Sequence, residues 1–335
     1  MEPNTTFKNP MSAQEKTLQQ YRQWMQLSAV SGVLQSARSL GIFHQLRSGQ
    51  HTADQLCQAL SLTQRPTQLL LDSLVAVGII EKYDDDYALS RAAQLLCQYD
   101  EDLGESRWKK IAQAAKGENT GQGQAEAYYD HNAATQWSHA ESAIQAAEML
   151  DIGEGQYQGR DILDLGCGSA VWSSAMGHRD PKSKITAVDH PGALQSAQNT
   201  AKSIGLGERF TTIASDPIDV ELPTESFDVV LIAQRLHALG AEPAVQLLSR
   251  AVEALRPGGR LIVIDLFRGP GKISLSESLE ALKLELDTEN GAMRTLKESE
   301  AAFRQAGMDS IQFTFLAASE INLGMMVAFK QESPS

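Results

Sequence analysis

Cysteine is scarce in this chain, with three in 335 residues, at Cys57, Cys97 and Cys167. They are widely spaced and form no CxxC pair or metal-ligand cluster. A disulfide scaffold is therefore not expected, no metal is implied, and a reducing compartment fits. Long apolar runs are also missing. The stretch MEPNTTFKNPMSAQEKTLQQ lacks the apolar core of a signal peptide, and no later run is long enough to span a bilayer. LIVIDLF has the length of a buried strand. These absences predict a cytoplasmic protein without membrane insertion. Basic residues are in deficit: 29 Lys and Arg stand against 42 Asp and Glu, a formal net charge of -13. Nonspecific nucleic-acid binding draws on cations that neutralise phosphate. With no large basic block, a nucleic-acid partner is disfavoured. Tandem repeats are absent too, which removes a solenoid.

The length suits two domains. WMQLSAVSGVLQSARSLGIFHQL has apolar residues at helical spacing. In the segment from Thr52 to Ser90, Leu56 and Leu60 support one helix, and Leu70, Leu74 and Val77 a second that Gly78 can end. IIEKYDDDYALS then reads as a hairpin with an acidic tip. Helix, helix and hairpin suggest a winged-helix arrangement. Such a module often binds DNA, but Asp84, Asp85 and Asp86 at the tip would repel phosphate, so a structural or dimer-forming role is favoured. KGENTGQGQAEA reads as a loop or linker. The expected division is 1–115 for a helical, winged-helix-like domain, 116–160 for a linker and pocket helix, and 161–335 for a second domain.

From Asp161 onward, strand and helix signals alternate. DILDL, KITAVDH, RFTTIAS, FDVVLIA, GGRLIVIDL, IQFTFLAA and GMMVAFK are strand candidates. SAVWSSAMGH, GALQSAQNTAKSIG, EPAVQLLSRAVEAL and ESEAAFRQAG are helical. This order predicts an α/β domain with a mostly parallel sheet covered by helices.

The strongest local signal is ILDLGCGSA. Gly166 and Gly168 follow a strand, where glycine lets the chain turn and leaves room for a ligand. It is a poor nicotinamide fingerprint, because a third glycine would stand at 171 and the residue is Val171. Asp164 would repel a pyrophosphate but could stabilise a cationic ligand. Asp189 ends the next strand, 25 residues after Asp164, where an acid can hold two ribose hydroxyls or cap the following helix. In IASDPID, Asp216 can accept from an adenine amino group or cap its turn, with Ser215 and Pro217 shaping the loop. Cys167 reads as a small residue tolerated in the glycine turn.

DLGCGSA, Asp189, SDPID, FDVVLIA and LRPGGRLIVID, in this order, resemble class I methyltransferases that use S-adenosylmethionine. The resemblance covers about Asp161 to Lys330. It implies a Rossmann-like seven-stranded sheet with a reversed final strand. It also implies a cofactor held by Asp164, Gly166, Gly168, Asp189, Asp216 and Pro217. The N-terminal pattern extends it to the small-molecule O-methyltransferases with a winged-helix-like dimerisation domain, a group that forms homodimers.

Methyl transfer to oxygen needs an aligned nucleophile that loses its proton, and histidine can take that proton near neutral pH. His237 follows the FDVVLIAQRL strand and matches the position of the family's catalytic histidine. The usual histidine, aspartate, tryptophan pattern is broken, however, since the sequence reads His237, Ala238, Leu239. A structural histidine remains the alternative, and the proposed transfer needs no metal if His237 is the base. YYDHNAATQWSHA supplies Tyr128, Tyr129, Asp130, His131, Trp137 and His139. Tyr128, Tyr129 and Trp137 are candidate acceptor contacts or domain-interface residues, and the spacing of Trp137 with Ile144 favours core packing. Arg235 and Arg268 could hold an acidic group or face solvent. Leu279, Leu282 and Leu286 form a stripe expected to be mostly core, and Met293 is expected to approach acceptor or cofactor. The alternatives are transfer to sulfur, nitrogen or carbon by positioning alone, including a small sulfur-containing acid held by an arginine, and a noncatalytic cofactor-binding regulator.

Overall fold

The computed structural model describes residues 12–96, 105–118, 125–269 and 271–332. Cys97 and residues 119–124, half of the expected linker KGENTGQGQAEA, lie outside them. The chain divides into two compact units, Met1–Glu105 and Ser106–Ser335.

In the first unit, α1 (Ala13–Ser39) starts with a capping box. Ser12 accepts from the Glu15 amide and the Glu15 carboxylate returns to the Ser12 amide, so two end amides are satisfied. Gly41, at φ +80°, breaks the long apolar pattern and turns the chain into α2 (Ile42–Arg47). Next come β1 (His51–Thr52), α3 (Ala53–Leu60), α4 (Gln64–Val77), β2 (Ile80–Tyr83), β3 (Asp86–Leu89) and α5 (Arg91–Leu96). The three strands form an antiparallel sheet in the order β1-β3-β2, which gives the expected winged-helix pattern. Gly78 caps α4 as expected. The inward face of α4 differs from the reading. Thr67, Leu71 and Leu74 are buried, while Val77 is 37% exposed. The face repeats from Thr67 through Leu71 to Leu74, which leaves Leu70 on its flank and Val77 turned out in the last turn.

From the unit boundary onward come α6 (Glu105–Trp108), α7 (Ile111–Ala114), α8 (Ala125–Thr135), a 3-10 turn over Gln136–His139 and α9 (Ala140–Met149). Then β4 (Asp161–Leu165), α10 (Val171–Arg179), β5 (Lys184–Asp189), α11 (Pro191–Ser203) and β6 (Phe210–Ala214) alternate. They are followed by β7 (Phe227–Ala233), α12 (Ala241–Ala254), β8 (Leu255–Arg268), α13 (Leu275–Asp287), β9 (Arg294–Thr295), α14 (Leu296–Gln305), β10 (Ile311–Phe315) and β11 (Leu323–Phe329). The main sheet runs β10-β11-β8-β7-β4-β5-β6, with the short β9 added beside β8. Strands β4 to β8 pair in parallel, and β11 runs antiparallel to both neighbours. This is the expected seven-stranded sheet with one reversed strand.

Alternation along each strand feeds two cores. Ile162, Leu231 and Ile264 face Trp172 and Met176 on one side. Leu163, Leu165, Val230, Ile232 and Val263 face Leu247 and Phe303 on the other. Burial on both faces explains why these strands read as continuous apolar runs. The α13 stripe is only partly core: Leu286 is buried, Leu282 is intermediate and Leu279 is 41% exposed. The helix turns Leu284 inward instead.

Candidate active site

The carboxyl ends of β4, β5, β7 and β8 bring the chemistry together. After β4 the chain turns through Gly166, Gly168 and Ala170, at φ +76°, +56° and +56°, before α10 begins. Both glycines are needed for space as well as conformation. A Cβ on Gly166 would stand 3.0 Å from Arg235 Cγ, and one on Gly168 would stand 2.7 Å from Gln136 Oε1. The Gly168 amide donates to Asp189 Oδ2 at 2.8 Å, and the Ser169 amide donates to Gln136 Oε1 at 2.9 Å. Asp189 is buried, and its other oxygen accepts from the His190 amide at 2.8 Å. Asp216 caps its own turn, accepting from the Ile218 amide at 2.9 Å, while Oδ2 lies 3.8 Å from His190 Nε2. Pro217 is buried beneath that turn.

Asp164 is the electrostatic anomaly of this loop. It is 1% exposed, and Ser173 Oγ donates to Oδ2. Its Oδ1 is buried without a hydrogen-bond partner among the described residues. Burial raises the carboxyl to about 7, the charge of Asp189 adds to the rise, and the Ser173 bond opposes it. A buried, half-satisfied carboxylate is costly unless a donor or a cation meets it. Glycines that clear space beside such a carboxylate suit a ligand with a positive charge. Cys167 beside it is buried and its thiol is pushed up by burial, so it is not an activated nucleophile.

Tyr129 and Arg235 lie over the same loop. The Arg235 guanidinium carbon sits 3.4 Å above the Tyr129 ring, and Arg235 is itself buried. Burial raises the Tyr129 phenol, Arg235 opposes the rise, and Asp216 and Asp189 add to it.

The second cluster centres on His237. Gln234 ends β7 at φ +54° and passes the chain into a 3-10 turn, Leu236–Ala238. Arg294 clamps this turn, donating to the Leu236 and Leu239 carbonyls at 2.6 Å each. His237 is 3% exposed. Its Nδ1 bonds to the Asp265 carboxylate, and its amide donates to Asp265 Oδ2 at 3.0 Å. Nε2 lies 2.7 Å from Tyr128 Oη. The network assigns the proton to Nδ1, leaving Nε2 to accept. Asp265 orients the ring and would face the charge of an imidazolium. It comes from the end of β8, the strand beside β7. Tyr128, Ala238 and Leu284 form a buried cluster, with Tyr129 and Met293 packed against it.

A family model described as a methyltransferase domain matches residues 162–259. A second, described as an O-methyltransferase dimerisation domain, matches residues 23–99. A methyltransferase domain behind an O-methyltransferase dimerisation domain is consistent with the class I S-adenosylmethionine-dependent methyltransferases. The ribosomal RNA large subunit methyltransferase G of Photobacterium profundum is 32% identical over 134 residues, 36% of each chain. The N,N-dimethyltransferase OxyT of Streptomyces rimosus is 26% identical over 297 residues, 82% of this chain and 86% of its own. The solved mitomycin 7-O-methyltransferase MmcR has a TM-score of 0.72 at 19% identity, covering 95% of this chain and 99% of that one, a likeness of fold. The chain spans about a third of the length of the first curated relatives it matches.

The other sequence-derived candidates are more dispersed. Met293 and Arg268 line a cavity of about 420 Å³ with Lys272, Glu277 and Phe315. Trp137 is 43% exposed and Ile144 54%, which corrects the expectation of core packing. The inward side of α9 is made of Ser142, Ala143, Ala146 and Ala147 instead. The Asp130 side chain lies outside the description. Asp265, Gln136 and Gln234 were missed by the sequence reading. Gln234 accepts from Trp172 Nε1 at 3.1 Å and bonds His139 Nε2 at 3.0 Å. Burial lowers His139 to about 4, so its ring is neutral at ordinary pH. Among the described residues no cluster has the makings of a metal site, and no helix is long and apolar enough to cross a membrane.

Proposed function

We propose that this methyltransferase methylates a hydroxyl oxygen of a small, partly apolar molecule, with His237 as general base. The observation that carries the reading is the buried pair of His237 and Asp265, with Nε2 presented as an acceptor. Asp164, Gly166, Gly168, Asp189, Asp216 and Pro217 would hold the cofactor, and the partnerless Asp164 oxygen beside the glycine cradle fits a cationic one. When bound, S-adenosylmethionine supplies a methyl group made electrophilic by a positive sulfur. His237 would take the acceptor proton, and Asp265 would stabilise the resulting imidazolium. Tyr128 and Met293 supply an apolar wall, and Trp137 and Arg268 are candidates further out. Tyr129 and Arg235 are better read as covering the cofactor loop.

The O-methyltransferase dimerisation domain supports a homodimer. The net charge of -13 and the exposed Asp84 and Asp85 weigh against a nucleic-acid partner. The unpaired thiols Cys57 and Cys167 favour a reducing cytoplasm. The alignment with a relative named as an N,N-dimethyltransferase favours one second reading, transfer to nitrogen by positioning alone.

Methyl-label transfer from S-adenosylmethionine into a broad small-metabolite extract, with products separated by mass, tests these readings. The expected result is an oxygen-methylated product that His237→Gln fails to form while still binding cofactor. A nitrogen- or sulfur-methylated product formed equally by His237→Gln would replace the base mechanism with positioning.

A further inference from the structure

Tyr128 already occupies the nitrogen that the proposed base must use. With Nδ1 committed to Asp265, the His237 ring has one lone pair to offer, on Nε2. That nitrogen lies 2.7 Å from Tyr128 Oη, and the two residues are 4% and 3% exposed. Burial holds the phenol far above its ordinary range, so it is a neutral O–H donor. Its helix fixes it in place. The ring packs with Leu284 and Ala238 and lies edge-on to Tyr129. A phenol oxygen that donates its proton to His237 keeps lone pairs with which to accept another.

A hydroxyl acceptor can reach Nε2 in two ways: it displaces Tyr128, or it passes its proton through Tyr128. Displacement would strand a buried phenol O–H without its acceptor. Passage keeps every hydrogen bond of the chain. We propose that Tyr128 is a proton relay between the acceptor and His237, an inference that rests on the oxygen-methylation reading. The acceptor proton moves to Tyr128 Oη as the phenol proton moves to His237 Nε2. The acceptor oxygen keeps the electron pair of its broken O–H bond and bonds the methyl carbon, while the pair of the broken carbon–sulfur bond stays on sulfur. Tyr128 is neutral before and after. The proton ends on His237 as an imidazolium facing Asp265, and then leaves to solvent. Tyr128 would thus be a catalytic residue rather than only a wall of the pocket.

Two readouts test this on the full chain. The first needs no acceptor: ring-nitrogen spectra of protein labelled with 15N-histidine, with S-adenosylhomocysteine bound and His237→Gln used for assignment. The expected result is a neutral His237 protonated on Nδ1, whose Nε2 resonance moves toward that of an unbonded lone pair in Tyr128→Phe. An unmoved resonance overturns the relay. The second is label transfer from S-adenosylmethionine to simple phenols and naphthols. The relay requires Tyr128→Phe to lose turnover to within about tenfold of His237→Gln, with KM retained. The double variant should be no worse than the weaker single, as for residues that act as a unit. Turnover at or above the wild-type rate in Tyr128→Phe, with His237→Gln inactive, overturns the relay and leaves the base standing. Wild-type turnover in His237→Gln overturns both.

Discussion

Replacing Asp164 by asparagine tests the electrostatics of the cofactor loop directly. Asp164 is 1% exposed, and burial raises its carboxyl from 3.8 to about 7. An acid whose folded pKa is raised binds more protons folded than unfolded between those values. Its contribution to stability is therefore fully present below pH 3.8 and is lost as pH rises through 7. Each pKa unit is worth about 1.4 kcal/mol, so the full span corresponds to roughly 4 kcal/mol. Asparagine is neutral throughout, and its carbonyl oxygen can keep the bond from Ser173. Ligand-free Asp164→Asn should match the wild type near pH 4 and exceed it near pH 8 by up to roughly 4 kcal/mol. At about 2–4 °C per kcal/mol, that is on the order of 10 °C in melting temperature. Saturating S-adenosylmethionine should raise the wild-type melting temperature more than that of the variant, because only the wild type offers a carboxylate to a cationic ligand. Melts at pH 4, 6 and 8, with and without cofactor, decide it. Parallel pH profiles, or a variant destabilised equally at every pH, would refute the reasoning.

Gly168→Ala puts a methyl 2.7 Å from Gln136 Oε1 at a φ of +56°. It should weaken cofactor binding, measured by calorimetry, and lower stability by about 1–3 kcal/mol. Adding Gln136→Ala should relieve the clash but not the backbone strain, so recovery should be partial. Asp265→Asn removes the carboxylate that orients His237. It should lower kcat by about 10²–10⁴ with KM nearly unchanged in steady-state methyl transfer, since the lost interaction grows with the charge on the imidazole. A change confined to KM would speak against that role.

The sheet was legible in the sequence because its strands are buried on both faces and bounded by turns. FDVVLIA coincides with β7. At β8 the reading began the strand at the two glycines, whereas the ladder starts at Leu255. There Leu255 pairs with Phe227 before an irregularity shifts the register. Spacing misled the reading of Trp137 and Ile144. The 3-10 turn that holds Trp137 interrupts the helical repeat before α9, and close packing of α9 against α10 favours small side chains, so alanines and a serine turn inward. Gln136 was invisible because its role exists only through a contact with a glycine loop 33 residues away.

Asp265 illustrates the same limit at the centre of the chemistry. The break after His237 left the base without a local aspartate, which kept transfer by positioning open. The orienting carboxylate stands 28 residues later, on the adjacent parallel strand. Parallel neighbours end at the same edge of a sheet, so an acid closing RLIVID was a partner within reach of the turn after β7. The sequence signal was present as an acid at the end of an apolar strand. Its pairing became readable only with the strand order.

The second buried network supplies a pH test of opposite sign. Burial lowers His139 from 6.5 to about 4 while Gln234 and Trp172 hold and stack its neutral ring. A base with a depressed folded pKa binds fewer protons folded than unfolded. Its contribution is fully present above pH 6.5 and is lost as pH falls through about 4. That span corresponds to roughly 3 kcal/mol, close to the Asp164 contribution and running the other way. The two should largely cancel in the wild type between pH 4 and 6.5. Against the wild-type profile, His139→Gln should lose stability as pH rises across that window and Asp164→Asn should gain it. Urea unfolding of the two single variants and the double at pH 4, 5 and 6.5 measures both slopes. Same-sign slopes in the two variants would mean that the groups are not buried as described. A double variant that fails to return to the wild-type slope would mean that they do not act independently.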